Sequence, residues 1–259
     1  MAENERQRIQ KILAAAGKGS RREIERWIED GRVRLGERLA VLGDRAGPDD
    51  ILRIDGKIVR LPDPGDGAQR VLIYHKPVGE VVTRHDPQGR PTVFESFPEV
   101  HASKWVAVGR LDINTSGLLL VTDSGELANE LMHPRYGLIR EYAVRVQGRL
   151  EEGGLLSLVK GLTLDDGPAR FQSIEEEVRQ GAATSANRRY RVTIAEGRNR
   201  EVRRLFSAVG VRVSKLVRVR YGPVSLPNEL RPGQWRELGQ DGVARLKGLV
   251  YSHQTRSSG

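Results

Sequence analysis

The sequence contains no cysteine, which excludes a disulfide framework, a thiolate metal site and a catalytic thiol, and fits a reducing cytoplasm as the expected location. No run approaches the roughly 18 apolar residues of a membrane span. The first twenty residues are charged and helical in period, without the apolar stretch and small-residue cleavage site of a secretory signal, so a non-exported chain with no membrane partner is expected. Its five histidines are scattered with no HxxxH or HxH spacing, so no metal is expected. A Gly-x-Gly-x-x-Gly dinucleotide turn and a serine nucleophile elbow are both missing. "AAAGKGSRRE" echoes a phosphate loop but lacks the first glycine at the needed spacing and joins two helices. No cofactor is expected. Internal repeats and low-complexity blocks are absent too.

What is present begins with charge. Hydrophobic residues make up 38% of the chain and charged ones 30%, and the formal net charge is +9. Residues 187–220 hold 11 Lys or Arg against Glu196 and Glu201, which accounts for the whole imbalance; the rest of the chain sums to zero. A basic segment this focused is the electrostatic footprint of a nucleic-acid partner, or else a solvated charged face.

The chain reads as two parts. Ile9, Ile12, Leu13 and Ala16 share one face of a helix over 6–16, with Arg6, Arg8 and Lys11 on its polar side. In "GSRREIERWIEDG" Ser20 is an N-cap, Glu23 completes a capping box, and Gly31 ends a second helix that presents Ile24, Trp27 and Ile28. Short strand-like pieces follow, with an Asp55-Gly56 hairpin signal. Residues 61–69, "LPDPGDGAQ", lose all periodicity and read as a linker. From residue 70 strands dominate ("RVLIYHK", "GEVVTR", "WVAVGR", "GLLLVT", "REYAVRV", "RRYRVTIAEG", "RVSKLVRVRYGPVSL"), with helices at 125–132, about 151–159 and 200–209. Strict βαβ alternation is lacking, so an α+β domain on a mostly antiparallel sheet is expected over 70–250. The tail 251–259 is expected to be disordered. No strong apolar surface stripe is evident, and a monomer is expected.

Two clusters carry candidate chemistry. In "GRLDINTSGLLLVTDSGELA", residues 109–128, Gly109, Asn114 and Gly117 already supply a turn, so Asp112 is surplus to the bend and sits at the end of the sheet where a cleft could form. A capping or turn role is the alternative. In "EGRNREVRRLF", residues 196–206, Arg198, Arg200, Arg203 and Arg204 exceed what packing needs. Arg203 and Arg204 flank Val202 and Leu205, and an inward-pointing arginine would need a carboxylate such as Asp112.

These blocks, with "LIYHKPVGEVVTRHDPQGRPTVFESFP", "REYAVRV" and "VRYGPVSLP", resemble the successive motifs of pseudouridine synthases of the small-subunit synthase A type, and residues 5–60 resemble an S4-type RNA-binding domain. The blocks are most similar to the bacterial subgroup acting on large-subunit ribosomal RNA. The resemblance implies an S4-type domain over 1–60, a synthase domain over 70–250, and rRNA of the large subunit as partner. It implies that Asp112 is catalytic, that Tyr142 packs on the target uracil, and that Arg203 pairs with the aspartate. Leu216 would line the base pocket, and Arg110 would fill the space left by a flipped base. Ser124 departs slightly from the family pattern, downstream of the site.

The implied chemistry explains the surplus carboxylate. Isomerising uridine cleaves the C1′–N1 bond, turns the uracil and joins C5 to the same carbon, with nothing added or lost. One ionised aspartate suffices, as nucleophile toward the sugar or as base at the 2′ position. Lys18, Arg21, Arg22 and Arg26 in the first domain and Arg198, Arg200 and Arg204 in the second would hold RNA phosphates. The main rival is a non-catalytic RNA-binding or ribosome-assembly factor, which the charge and domain layout would suit equally; the second is a nucleoside or glycoside hydrolase, which would want a second carboxylate about the bond, where the nearby Asp123 reads as a helix cap.

Overall fold

The computed structural model describes residues 6–59, 69–100, 104–177 and 187–256. They fall into two compact units: the first holds the chain up to Gln69 with Pro98–Trp105 and Asp123–Gly125, and the second holds the remainder.

In the first unit, helices α1 (Ile9–Ala15) and α2 (Arg21–Glu29) lie beside short strands. The Ser20 hydroxyl accepts from the Glu23 amide while the Glu23 carboxylate accepts from the Ser20 amide, the reciprocal cap expected of this spacing. Ile9, Leu13, Ile24 and Ile28 from the helices meet Val33, Ala46 and Leu52 from the strands in one core. A four-stranded sheet runs in the order Arg38–Leu39, Val33–Leu35, Leu52–Ile54, Lys57–Ile58. Asp55 and Gly56 both take positive φ, 51° and 78°, as a two-residue primed turn demands. The linker placed at 61–69 lies, apart from Gln69, outside the described residues.

The second unit is built on a nine-stranded sheet whose main path runs Ser173–Glu176, Asn187–Ile194, Arg140–Gln147, Arg212–Tyr221, Ser116–Thr122, Val71–Lys76, Trp235–Glu237. Every neighbouring pair is antiparallel except one. Arg212–Tyr221 runs parallel to Ser116–Thr122, with Val217 opposite Ser116 and Arg218 opposite Gly117. That parallel seam lies where the two halves of the sheet join, and Ser116–Thr122 is buried along its whole length, in keeping with its unbroken apolar run. Helices α3 (Gly125–Met132), α4 (Glu152–Lys160) and α5 (Glu201–Ala208) stand where the sequence places them.

Two expectations need correction. "GEVVTR" is not a strand: Gly79 donates to the Ile113 carbonyl, and Val81 makes only an isolated bridge with Thr92. The tail called disordered from 251 is helical through Arg256, in α6 (Gln240–Arg256), while 257–259 lie outside the described residues. Helix α6 binds because Val243, Leu246 and Leu249 pack on the core formed with Leu127, Leu131 and Tyr221. Its glycines at 242 and 248 mask this pattern in the sequence. The edge strand Trp235–Glu237 and the hairpin Leu162–Leu164 with Gly167–Ala169 also went unread. Among the described residues, no helix is long and apolar enough to cross a membrane.

Candidate active site

Asp112 lies in the turn that leads into the Ser116–Thr122 strand, closed by the Thr115 amide donating to the Asp112 carbonyl. Two anchors hold this turn from below. Lys76 is fully buried, and its Nζ donates to the Thr115 carbonyl at 2.9 Å and to that of Pro77 at 2.8 Å. Arg203, on α5, donates through Nη2 to the Asn114 carbonyl at 2.8 Å and through Nη1 to the Val213 carbonyl at 3.1 Å.

The turn borders a cleft of about 1010 Å³ within the second unit. Asp112, Arg110, Tyr142, Leu216 and Arg200 all line it, so four of the five residues assigned by resemblance to the reacting base meet at one place. Tyr142 and Leu216 are 8% and 5% exposed on neighbouring strands, forming an apolar wall. Arg110 is exposed at the rim.

Arg203 is the exception. The guanidinium at ion-pair distance from Asp112 is that of Arg200, 3.6 Å away. Arg203 spends its donors on one carbonyl of the turn and one of the strand Arg212–Tyr221, and so positions the aspartate through the backbone. Burial and the neighbouring Arg200 push its pKa down, and Asp112 pulls it back up. Arg200 itself caps α5 in the left-handed region (φ 48°, ψ 28°), a backbone that costs a non-glycine residue about 1 kcal/mol. Strain of this kind gathers at functional sites.

Arg198 and Arg204 also differ from expectation. Arg198 is paired with Glu201, Glu196 and Asp166, and Arg204 makes two hydrogen bonds of 2.8 Å to Asp166. The Arg204 bond holds the Asp166 carboxyl below its ordinary range. Both arginines staple α5 to the Gly167–Ala169 hairpin instead of facing outward as free cations. Lys18, Arg21, Arg22 and Arg26 are exposed in the first unit, where Arg21 borders a smaller hollow of about 320 Å³ with Arg6, Arg8, Lys11 and Arg45.

Four carboxylates line the large cleft. Asp86 is held by Arg90 at 2.7 Å, and Glu196 and Glu201 are held by Arg198. Of these four, Asp112 is held most loosely: its ion pair to Arg200 is 3.6 Å long, against 2.7–3.0 Å for the other three. This arrangement suits nucleophilic attack or proton removal by one carboxylate and leaves no second free carboxylate for hydrolysis of the two-carboxylate kind.

Lys76 carries a pH prediction. Burial brings its ammonium down from 10.5 to about 8, against the opposing pull of Glu80 and Asp112. Between pH 8 and about 10.5 the unfolded chain therefore binds a proton that the folded one lacks, so this group's contribution to stability rises with pH across that window. The stability of wild type relative to Lys76→Met, read from urea midpoints, should grow from pH 8 to 10.5. A difference that stays flat would place the Lys76 charge outside the energetics of the fold.

Residues 70–208 match the RNA pseudouridylate synthase family, and residues 7–52 match the S4 domain. The chain is 52% identical over 246 residues to the ribosomal large subunit pseudouridine synthase B of Salmonella typhimurium, covering 94% of this chain and 83% of that protein. It is 51% identical over 246 residues to the protein of the same name from Escherichia coli K12, with the same coverage. A crystal structure of a pseudouridylate synthase superposes with a TM-score of 0.63 at 25% identity, over 92% of this chain and 99% of that one.

Proposed function

Since the chain belongs to the RNA pseudouridylate synthase family and carries an S4 domain ahead of the catalytic one, we propose that it converts one uridine of large-subunit ribosomal RNA to pseudouridine, with Asp112 as the catalytic carboxylate. The observation that carries this reading is the loose hold on Asp112: its nearest cation lies 3.6 Å away while the other three carboxylates of the cleft are ion-paired at 2.7–3.0 Å, and the apolar wall of Tyr142 and Leu216 lines the same cleft. The large-subunit target follows the names of the relatives that match over 94% of the chain. The likeness of the motif blocks to the small-subunit synthase A type is not supported by these relatives, which bear the large-subunit name.

The geometry accounts for each step. A uridine stacked in folded RNA must leave its stack to reach the cleft, and Tyr142 offers a ring on which the base settles, worth about 1–3 kcal/mol. Asp112 then acts at the sugar while the C1′–N1 bond breaks, leaving the electron pair on uracil. The base turns, C5 bonds to C1′ as Asp112 leaves that carbon or returns the 2′ proton, the C5 proton is released, and N1 takes up a proton. Arg200 and Arg110 give the rim positive charge for phosphates, and the exposed cations of the first unit add a second grip, so affinity falls steeply with salt. The enzyme acts as a monomer in the cytoplasm.

The test is to incubate the protein with large-subunit rRNA lacking pseudouridine and map the product by chemical labelling and primer extension. One new stop is expected. Release of free uracil, or no stop on naked RNA or on assembling particles, would overturn the reading. The platform is tested separately. Tyr142→Phe should turn over near the wild-type rate and Tyr142→Ala about 5–150-fold more slowly, the equivalent of that stacking energy; equal rates would remove the platform role.

A further inference from the structure

Arg218 is 2% exposed, yet it lines the active-site cleft. Its Nε donates to the Leu118 carbonyl at 2.7 Å, and its guanidinium lies 5.0 Å from the centre of the Tyr221 ring. Among the described residues no carboxylate pairs with it, and its buried Nη2 has no hydrogen-bond partner. A site that needed only packing would be better served by an apolar side chain of similar volume.

The strand register explains why this charge is unpaired. A β-bulge falls between Glu141 and Tyr142 where Arg140–Gln147 pairs with Arg212–Tyr221. On one side of it Arg220 faces Glu141, which takes hydrogen bonds from both Arg220 and Arg191. On the other side Arg218 is the cross-strand partner of Tyr142, two residues from Leu216 on its own strand. The bulge thus separates the arginine with a carboxylate from the arginine without one. Arg218 stands beside the ring on which the base is proposed to stack.

Resting on that proposed reaction, we infer that Arg218 is a base-contact residue that donates a hydrogen bond to a uracil carbonyl oxygen and holds the detached base. When the C1′–N1 pair of electrons stays on uracil, the charge spreads from N1 to O2 and, through C6=C5, to O4. A fixed guanidinium in a water-poor pocket stabilises charge that develops there. The same donor serves both halves of the reaction. Turning uracil by 180° about its N3–C6 axis exchanges N1 with C5 and O2 with O4, so a donor that meets one carbonyl before the turn meets the other after it. No movement of the protein is needed between bond breaking and bond making.

The experiment pairs Arg218→Met and Arg218→Lys with RNA carrying uridine, 2-thiouridine or 4-thiouridine at the target. Single-turnover conversion is followed by nucleoside chromatography, with thermal midpoints measured alongside. Sulfur is a weak acceptor, so wild type should slow about tenfold on the thio base whose carbonyl faces Arg218. Arg218→Met should lose about 10²–10³-fold on uridine, bind RNA within about threefold of wild type, and show a thio effect below about twofold. Arg218→Lys should recover part of the rate, and serves in place of the Met variant if that one unfolds. The two thio arms tell which carbonyl is met first. Equal thio effects in wild type and variant, or none in wild type, would overturn the contact while leaving the isomerase reading intact. Failure of wild type to convert plain uridine would remove both.

Discussion

Asp112→Asn should abolish pseudouridine formation, by at least on the order of 10³-fold, while RNA affinity stays within a few fold. The substitution keeps the shape of the side chain and removes its charge and nucleophilicity. The folded state should hardly notice: the carboxylate is 30% exposed and its one ion pair, to Arg200, is long at 3.6 Å. Such a contact is worth about 0–1 kcal/mol. The turn is held by its own backbone bond and by Lys76 and Arg203, none of which uses the Asp112 side chain. Binding, thermal midpoint and single-turnover rate measured on one preparation therefore separate chemistry from folding. Activity within tenfold of wild type would remove Asp112 from the catalytic step.

Gly117→Ala should be the most damaging small substitution in the second unit, lowering stability by roughly 3–4 kcal/mol. Gly117 has φ +106°, and an added Cβ would meet the Arg218 carbonyl oxygen at 2.3 Å and its amide nitrogen at 2.6 Å. Neither neighbour is the yielding tip of a side chain. Both belong to the parallel seam, so relief requires the strands to part. At this chain length that loss corresponds to a fall in Tm of roughly 6–16 °C. Activity should fall further than stability, because the seam sets Arg218 and Leu216 against the turn that carries Asp112. A thermal midpoint within 2 °C of wild type would show that the strands part at little cost.

How much of this could be read in advance depended on how local each cause was. The Ser20 and Glu23 cap and the Asp55-Gly56 turn are complete within four residues, and both formed as read. "GEVVTR" had the composition of a strand, but its backbone groups are taken by loops at Ile113 and Thr92 that become neighbours only on folding. Helix α6 was hidden because its apolar residues are spaced among glycines and gain meaning only against the core of the second unit. The arginines illustrate the same limit. Four of them stand in "EGRNREVRRLF", and the sequence could not assign their partners. Asp166, which claims Arg198 and Arg204, comes from a hairpin some thirty residues upstream.

By itself, the sequence determined the chemistry available to this protein: no thiol, a concentrated basic segment and a carboxylate the turn did not need, while Tyr142 and Leu216 were named through the resemblance alone. These depend on residue identity and short-range pattern, which do not change when the chain folds. The tertiary structure decided which cation faces Asp112, Arg200 and not Arg203, and which arginine remains buried without a carboxylate, Arg218 and not Arg220. The first choice turns on the helix, where Arg203 spends its donors on the Asn114 and Val213 carbonyls; the second is made by the bulge between Glu141 and Tyr142, because side chains alternate faces along a strand and one residue of slip exchanges cleft for far side.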